Sequence, residues 1–144
     1  YADFVAGHIT GPAGMTDARA VRHDAPGVAT PYLGEGYDEP SPIAKPPSAA
    51  GGGYATARDL LHFQNALEDG RLLPREMRNV LFNQFTPTNE DIEPQMGIAG
   101  GSPGVNAVWE WDAPSGWSVV VLVNRDPPAA ERLGRAVLEA ARAE

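Results

Sequence analysis

The chain has 144 residues, 42% of them hydrophobic, with a formal net charge of −8 and no cysteine. That is the length and composition of one globular domain, about 100–200 residues. The acidity argues against a nucleic-acid partner, the lack of cysteine excludes disulfides and thiolate chemistry, and the longest apolar run, Val119 to Val123, falls far short of the roughly 20 residues that cross a bilayer, so the chain does not read as membrane-spanning.

Tyr1, Phe4, Val5 and Ile9 fall on one helical face, so a first helix is predicted to end near Ile9, before the turn cluster Gly11-Pro12-Ala13-Gly14. A helix that begins in mid-pattern, with no Met and no signal peptide, suggests a chain cut from something longer. Thr16-Asp17-Ala18-Arg19 reads as a second turn. Residues 20–53 hold Pro26, Pro31, Pro40, Pro42, Pro46 and Pro47 and end in Gly51-Gly52-Gly53. This long irregular stretch is a binding wall or a linker, with short strand pieces at Val28 to Leu33 and at Ile43. Thr56 and Asp59 form a capping-box start, Leu60, Phe63, Ala66 and Leu67 continue as a helical stripe, and Gly70 ends it. Pro74 opens a short helix over residues 74–83, with Met77, Val80 and Leu81 at helical spacing.

Beyond the glycine-rich run Gly97 to Gly104, the residues Val105, Ala107, Trp109 and Trp111 alternate with Asn106, Val108 and Glu110, the period of a strand. Asp112 to Gly116 is a hairpin loop, Trp117 to Val123 the partner strand, and Asn124 to Pro128 its stop. Leu133, Ala136, Val137, Ala140 and Ala141 give a C-terminal helix with one apolar face. The order is α+β: a helical and loop-rich part over residues 1–70, then a helix, sheet strands and a last helix over 71–144. A sheet of two or three strands leaves edges unpaired, which points to missing strands or to a homodimer through an exposed edge.

The chemistry-bearing residues form no recognisable nucleophile and base. The histidines His8, His23 and His62 lack metal-site spacing, and the acidic run Asn89-Glu90-Asp91 with Glu93 reads as a solvated loop, so no metal is expected. Gly51-Gly52-Gly53 precedes a helix but is followed by no Gly-Lys-Ser/Thr, which favours a close-packed turn over phosphate binding. Ser41 stands four residues before the only lysine, Lys45, not the three that would put a hydroxyl and an amine on one helical face.

Taken in order, several segments are similar to one family. Tyr1-Ala2-Asp3-Phe4-Val5 with Gly11 to Asp17, then Ala49-Ala50-Gly51-Gly52-Gly53-Tyr54-Ala55-Thr56-Ala57-Arg58-Asp59-Leu60, then Gly97 to Gly104 with the Trp-rich hairpin and Val119 to Asn124, resemble the serine β-lactamase-related superfamily. That group includes class C β-lactamases, penicillin-binding DD-peptidases and related esterases. The resemblance implies the C-terminal part of a five-stranded antiparallel sheet flanked by helices, and acyl transfer through a serine on a β-lactam, a D-Ala peptide or an ester. It implies no cofactor, and a periplasmic, secreted or cytoplasmic bacterial location.

The family's Ser-x-x-Lys and Tyr-x-Asn motifs do not occur: none of Tyr1, Tyr32, Tyr37 and Tyr54 has Asn two residues on. At the third motif, where the family carries Lys or His before Thr/x-Gly, this chain has Ile98-Ala99-Gly100. By the same resemblance Gly101 would offer one oxyanion N–H, and Gly51, Gly52, Gly53, Ser102 and Asn106 are candidates for the substrate cleft. The expectation is a hydrolase portion inactive alone, which takes a small-molecule or peptide substrate once the missing part is supplied. The alternative is a non-catalytic binding or scaffold domain derived from that fold.

Overall fold

The computed structural model describes residues 1–20, 25–34, 39–40, 48–85, 95–112 and 115–143, with 39–40, 82–85 and 95–96 described by backbone alone. The expectations at Ser41, Ile43, Lys45 and the acidic run around Asp91 fall outside these residues.

The first helical run goes further than the turn cluster after Ile9 suggests. α1 (Ala2–Val5) passes into a π-helical segment (Ala6–Thr10) and then into α2 (Gly11–Ala13). The wide turn lets the Gly11 N–H donate to the Ala6 carbonyl and the Met15 N–H to that of Thr10, at 2.9 Å. Gly11 permits this approach, since a Cβ there would lie 2.7 Å from the Ala6 oxygen. Pro12 sits in the first positions of α2, where its missing N–H costs little. The stop comes instead at Gly14, left-handed at φ 75°.

Arg19 and Tyr54 then exchange backbone hydrogen bonds of 2.8 and 2.9 Å. β1 (Tyr32–Leu33) and β2 (Glu39–Pro40) form a small antiparallel ladder, so the strand expected over Val28 to Leu33 is reduced to its last two residues. α3 (Ala57–Glu68) starts on the capping box the sequence predicts: the Asp59 N–H donates to Thr56 Oγ1 at 3.1 Å, and the Thr56 N–H to Asp59 Oδ2 at 2.9 Å. Gly70 is left-handed just past its end. α4 (Arg75–Phe85) begins one residue later than expected, because Pro74 acts before the first turn, its carbonyl accepting from the Arg78 N–H at 3.0 Å.

The sheet is a meander of β3 (Gln95–Ser102), β4 (Val105–Asp112) and β5 (Trp117–Val123), antiparallel and in that spatial order. One face carries Trp109 and Trp111, stacked with ring centroids 6.5 Å apart. They pack with Leu67, Phe63, Leu72, Leu73, Leu81 and Val120. Within this apolar layer the buried Gln64 accepts from Trp109 Nε1–H at 3.1 Å and from the Ser118 hydroxyl. The opposite face carries Asn106, Val108, Glu110 and Asp112 and is covered by α5 (Ala129–Arg142). Because both faces are covered, Val108 and Trp109 are both buried although they point opposite ways.

The buried face of α5 is not the one the sequence suggests. Ala130, Gly134 and Leu138 meet the sheet, while Leu133 and Val137 are 51% and 43% exposed. The helix is turned by one residue, ~100°. Gly134 sets this orientation: a Cβ there would lie 2.7 Å from Val108 Cγ1, so the helix descends closest to the sheet along the glycine line. Near its end, Arg142 Nε and Nη2 donate to the buried carboxylate of Asp112 at 2.8 and 2.6 Å.

Candidate functional site

β3 is an edge strand, paired only with β4 among the described residues. Gly97, Ile98, Ala99, Gly100 and Gly101 are exposed along it. The register places Ile98 opposite Trp109 and Gly100 opposite Ala107 on the tryptophan face, and Ala99 opposite Val108 and Gly101 opposite Asn106 on the α5 face. A side chain at 100 would meet nothing within 4 Å, whereas one at 101 would lie 2.6 Å from Pro127 Cγ, 3.1 Å from the Val105 oxygen and 3.2 Å from Asn106 Nδ2. Gly101 is thus required by packing behind the sheet, while Gly100 leaves open space in front of it.

The strand is held from behind by two polar anchors. Asn106, 3% exposed, donates from Nδ2 to the Gly100 carbonyl at 3.0 Å and to Glu131 Oε1 at 3.1 Å. Its Oδ1 accepts from the Ala130 N–H, in the first turn of α5, at 2.7 Å. One side chain so ties β3, β4 and α5 together, and it is closed off from solvent. Asp126 holds the β3–β4 turn, accepting from the Gly104 N–H at 2.7 Å and from the Gly34 N–H at 2.9 Å. The N–H donors of Gly34 and Gly104 hold its carboxyl below the ordinary 3.8, with a smaller pull from Arg125. Ser102 closes the same hairpin opposite Val105 and is half-buried.

Gly51, Gly52 and Gly53 lie in the turn that leads into α3. Gly51 and Gly52 have φ of 131° and 88°, a left-handed pair that other residues resist. Gly51 exchanges backbone bonds with Ser48, and a Cβ at Gly53 would meet only the Arg19 carbonyl, at 4.0 Å. In the α3 cap the buried Asp59 accepts from the Thr56 hydroxyl at 2.8 Å and the Asp17 N–H at 3.3 Å. Burial pushes this carboxyl up, but the Thr56 and Asp17 hydrogen bonds and nearby His62 outweigh it and leave it below 3.8. His62 Nδ1 lies 2.9 Å from the Gly14 carbonyl and donates to it when the proton is on that nitrogen. The structure therefore sets Ile98, Ala99, Gly100, Gly101 and Ser102 along one sheet edge, with the buried Asn106 of β4 behind Gly100, and sets the three-glycine turn with the α3 cap.

Sequence reading missed Asp126 and Glu131. Asp126 was legible only as part of a strand stop before Pro127-Pro128, and Glu131 only as a polar residue of an amphipathic helix. Their partners, Gly34 and Asn106, are 92 and 25 residues away. Among the described residues no group of three His, Cys, Asp or Glu could hold a metal ion, and no helix is long and apolar enough to cross a membrane.

Comparison with known proteins bears on what this edge belongs to. A search of curated protein sequences finds no significant match. The chain is similar in structure to a penicillin binding protein from Bacillus halodurans, with a TM-score of 0.75 at 21% identity over 96% of this chain. The match covers 48% of that protein, so the chain spans about half its length. At this identity the likeness is one of fold: helices with a three-stranded antiparallel sheet, part of the β-lactamase/transpeptidase-like α+β architecture. The Beta-lactamase family model matches residues 1–144, the whole chain. The chain therefore belongs to the beta-lactamase family, within the serine β-lactamase and penicillin-binding-protein-like superfamily.

Proposed function

We propose that this chain supplies the substrate-edge strand of an acyl-serine hydrolase acting on a β-lactam, a D-Ala peptide or an ester, and that it does not turn over such substrates alone. The observation that carries this reading is the exposed, glycine-rich edge of β3 in a chain matched to the family along its whole length. Counted from Ser102 and Val105 as the closing pair of the two-residue hairpin, the alternation of an antiparallel ladder turns the backbone groups of Ala99 and Gly101 away from β4, toward the open edge. This supports the Gly101 N–H as one oxyanion donor. Substrate would lie along this edge as a small molecule or short extended peptide, over the open space before Gly100.

The second half of the reading rests on what the 144 residues contain. Ile98 brings no cation or imidazole, and no Ser-x-x-Lys or Tyr-x-Asn occurs to provide a nucleophile and its base. Assays with a chromogenic cephalosporin and a nitrophenyl ester are expected to show no turnover above buffer. Turnover that survives purification and is titrated by a serine-directed acylating agent would refute this. The same reading has the chain pair with a second copy through an exposed sheet edge, since an unpaired edge strand is a template for another strand.

A further inference from the structure

We propose that Asn106 is a positioning residue for the Gly101 N–H: it holds the Gly100–Gly101 peptide in one plane, with that N–H turned away from β4. This rests on the hydrolase reading above, which makes the N–H an oxyanion donor, and adds the side chain that aims it. The link between the two is covalent. The carbonyl of Gly100 and the N–H of Gly101 belong to one planar trans peptide and point in opposite directions. Whatever fixes the carbonyl therefore fixes the N–H. Asn106 Nδ2 donates to that carbonyl at 3.0 Å.

This peptide needs holding more than its neighbours do. It is the only glycine–glycine peptide of β3. A peptide plane rotates about ψ of the residue before it and φ of the residue after it, and here neither residue has a Cβ to restrict that rotation. The register sets Gly101 opposite Asn106 on the α5 face. A Cβ at position 101 would lie 3.2 Å from Asn106 Nδ2 and 2.6 Å from Pro127 Cγ. The glycine that loosens the peptide is thus also what lets the Asn106 amide pass over the strand and reach the Gly100 carbonyl.

The surroundings of residue 106 call for an amide. One Nδ2 proton goes to Gly100 and the other to Glu131 Oε1 at 3.1 Å, while Oδ1 accepts from the Ala130 N–H at 2.7 Å. Two acceptors and one donor fix which way the amide faces, because turning it over would set its oxygen against two other oxygens. A carboxylate here has no proton for Gly100, and an aliphatic side chain leaves all three groups unmet. Asn106 is 3% exposed, so these bonds are made away from solvent, where linked hydrogen bonds polarise one another. Donation to the Gly100 carbonyl draws electron density from the Gly101 N–H. It both aims the N–H and strengthens it toward a developing negative charge.

The test is 15N relaxation of the backbone amides of the 144-residue chain and its variants, with urea midpoints measured alongside. In the unmodified chain the Gly101 amide is expected to be as rigid as the rest of the sheet, with an order parameter of about 0.85; a value below about 0.6 overturns the proposal without any variant. Asn106→Asp/Glu131→Gln keeps an acceptor for the Ala130 N–H and a hydrogen bond between positions 106 and 131, but leaves the Gly100 carbonyl without its donor. In it the Gly101 order parameter is expected to fall below about 0.6, while the Val108 and Val121 amides stay rigid. Asn106→Ser, too short to reach Gly100, carries the same expectation should the double variant not fold. Asp112→Asn weakens the Arg142 contact at the far end of β4 and is expected to lower the urea midpoint with Gly101 still rigid. A Gly101 amide that stays rigid without Asn106, or that loosens equally in Asp112→Asn, overturns the role. Either result leaves the hydrolase reading standing, and turnover in the acylation assays would refute that reading without altering the order parameters.

Discussion

Replacing Gly134 by alanine sets two effects of similar size against each other. In an isolated helix the change would stabilise by about 1 kcal/mol, because glycine loses more backbone freedom on folding. Here the new methyl would lie 2.7 Å from Val108 Cγ1. Val108 is 4% exposed and β-branched, so it has no rotamer to retreat into. Overpacking of this kind costs about 1–3 kcal/mol. The net expectation is a loss of about 1 kcal/mol, or ~2–4 °C in Tm for a chain of this size.

Removing the obstacle gives the sharper test. Val108→Ala alone should cost about 2 kcal/mol, from the lost methyl burial and the space left behind. In Gly134→Ala/Val108→Ala the alanine methyl occupies part of that space. The pair should therefore be more stable than the sum of the singles by about 1 kcal/mol or more. Urea denaturation of the four proteins measures the cycle. A urea midpoint that rises in Gly134→Ala, or singles that add without coupling, would show that α5 does not rest on β4 through this glycine.

Gln64→Leu should destabilise by about 2–4 kcal/mol, because it leaves the Trp109 indole N–H and the Ser118 hydroxyl without their shared acceptor in a buried layer. Urea midpoints and tryptophan fluorescence report it, and a variant as stable as the parent would refute the role. Acid should loosen the fold through Asp59 and Asp126, whose carboxyls are held below 3.8. A depressed folded value means that the contribution is fully present above 3.8 and is lost as pH falls through the lower folded value. Urea midpoints should hold from about pH 7 to 5 and fall below about pH 4, with a shallower fall in Asp126→Asn. An equally steep fall in that variant would remove Asp126 from the account.

Elements whose cause is local were legible in the sequence. The Thr56–Asp59 box needs only residues three apart, and it stands as predicted. The Trp109 and Trp111 strand and its partner follow from period-two spacing and a polar loop, and their bounds are those read except that β4 takes in Asp112, which the sequence puts in the loop. The first helix outruns its sequence signal because glycine and proline read as breakers, while the wide π turn absorbs Gly11 and the first positions of α2 accept Pro12. The face of α5 was misjudged for a different reason. Counting apolar residues favours Leu133 and Val137, but the glycine decides which line of the helix can approach the sheet. At the candidate site, the composition of β3 is readable, whereas the anchoring role of Asn106 is not. Its amide is committed to Gly100, Glu131 and Ala130, and such partners depend on which face of the strand the helix covers.

The meander of β3, β4 and β5 followed directly by α5 has a kinetic consequence. Each strand pairs with its neighbour in the chain, and α5 covers the sheet after a connection of only a few residues. Residues 95–142 therefore close short loops, which cost little chain entropy and form early. The α3 contacts span more chain, since Gln64 lies 45 residues from Trp109 and 54 from Ser118. The tryptophan face should thus be the last surface to be covered, with the α5 side of the sheet already in place when α3 arrives.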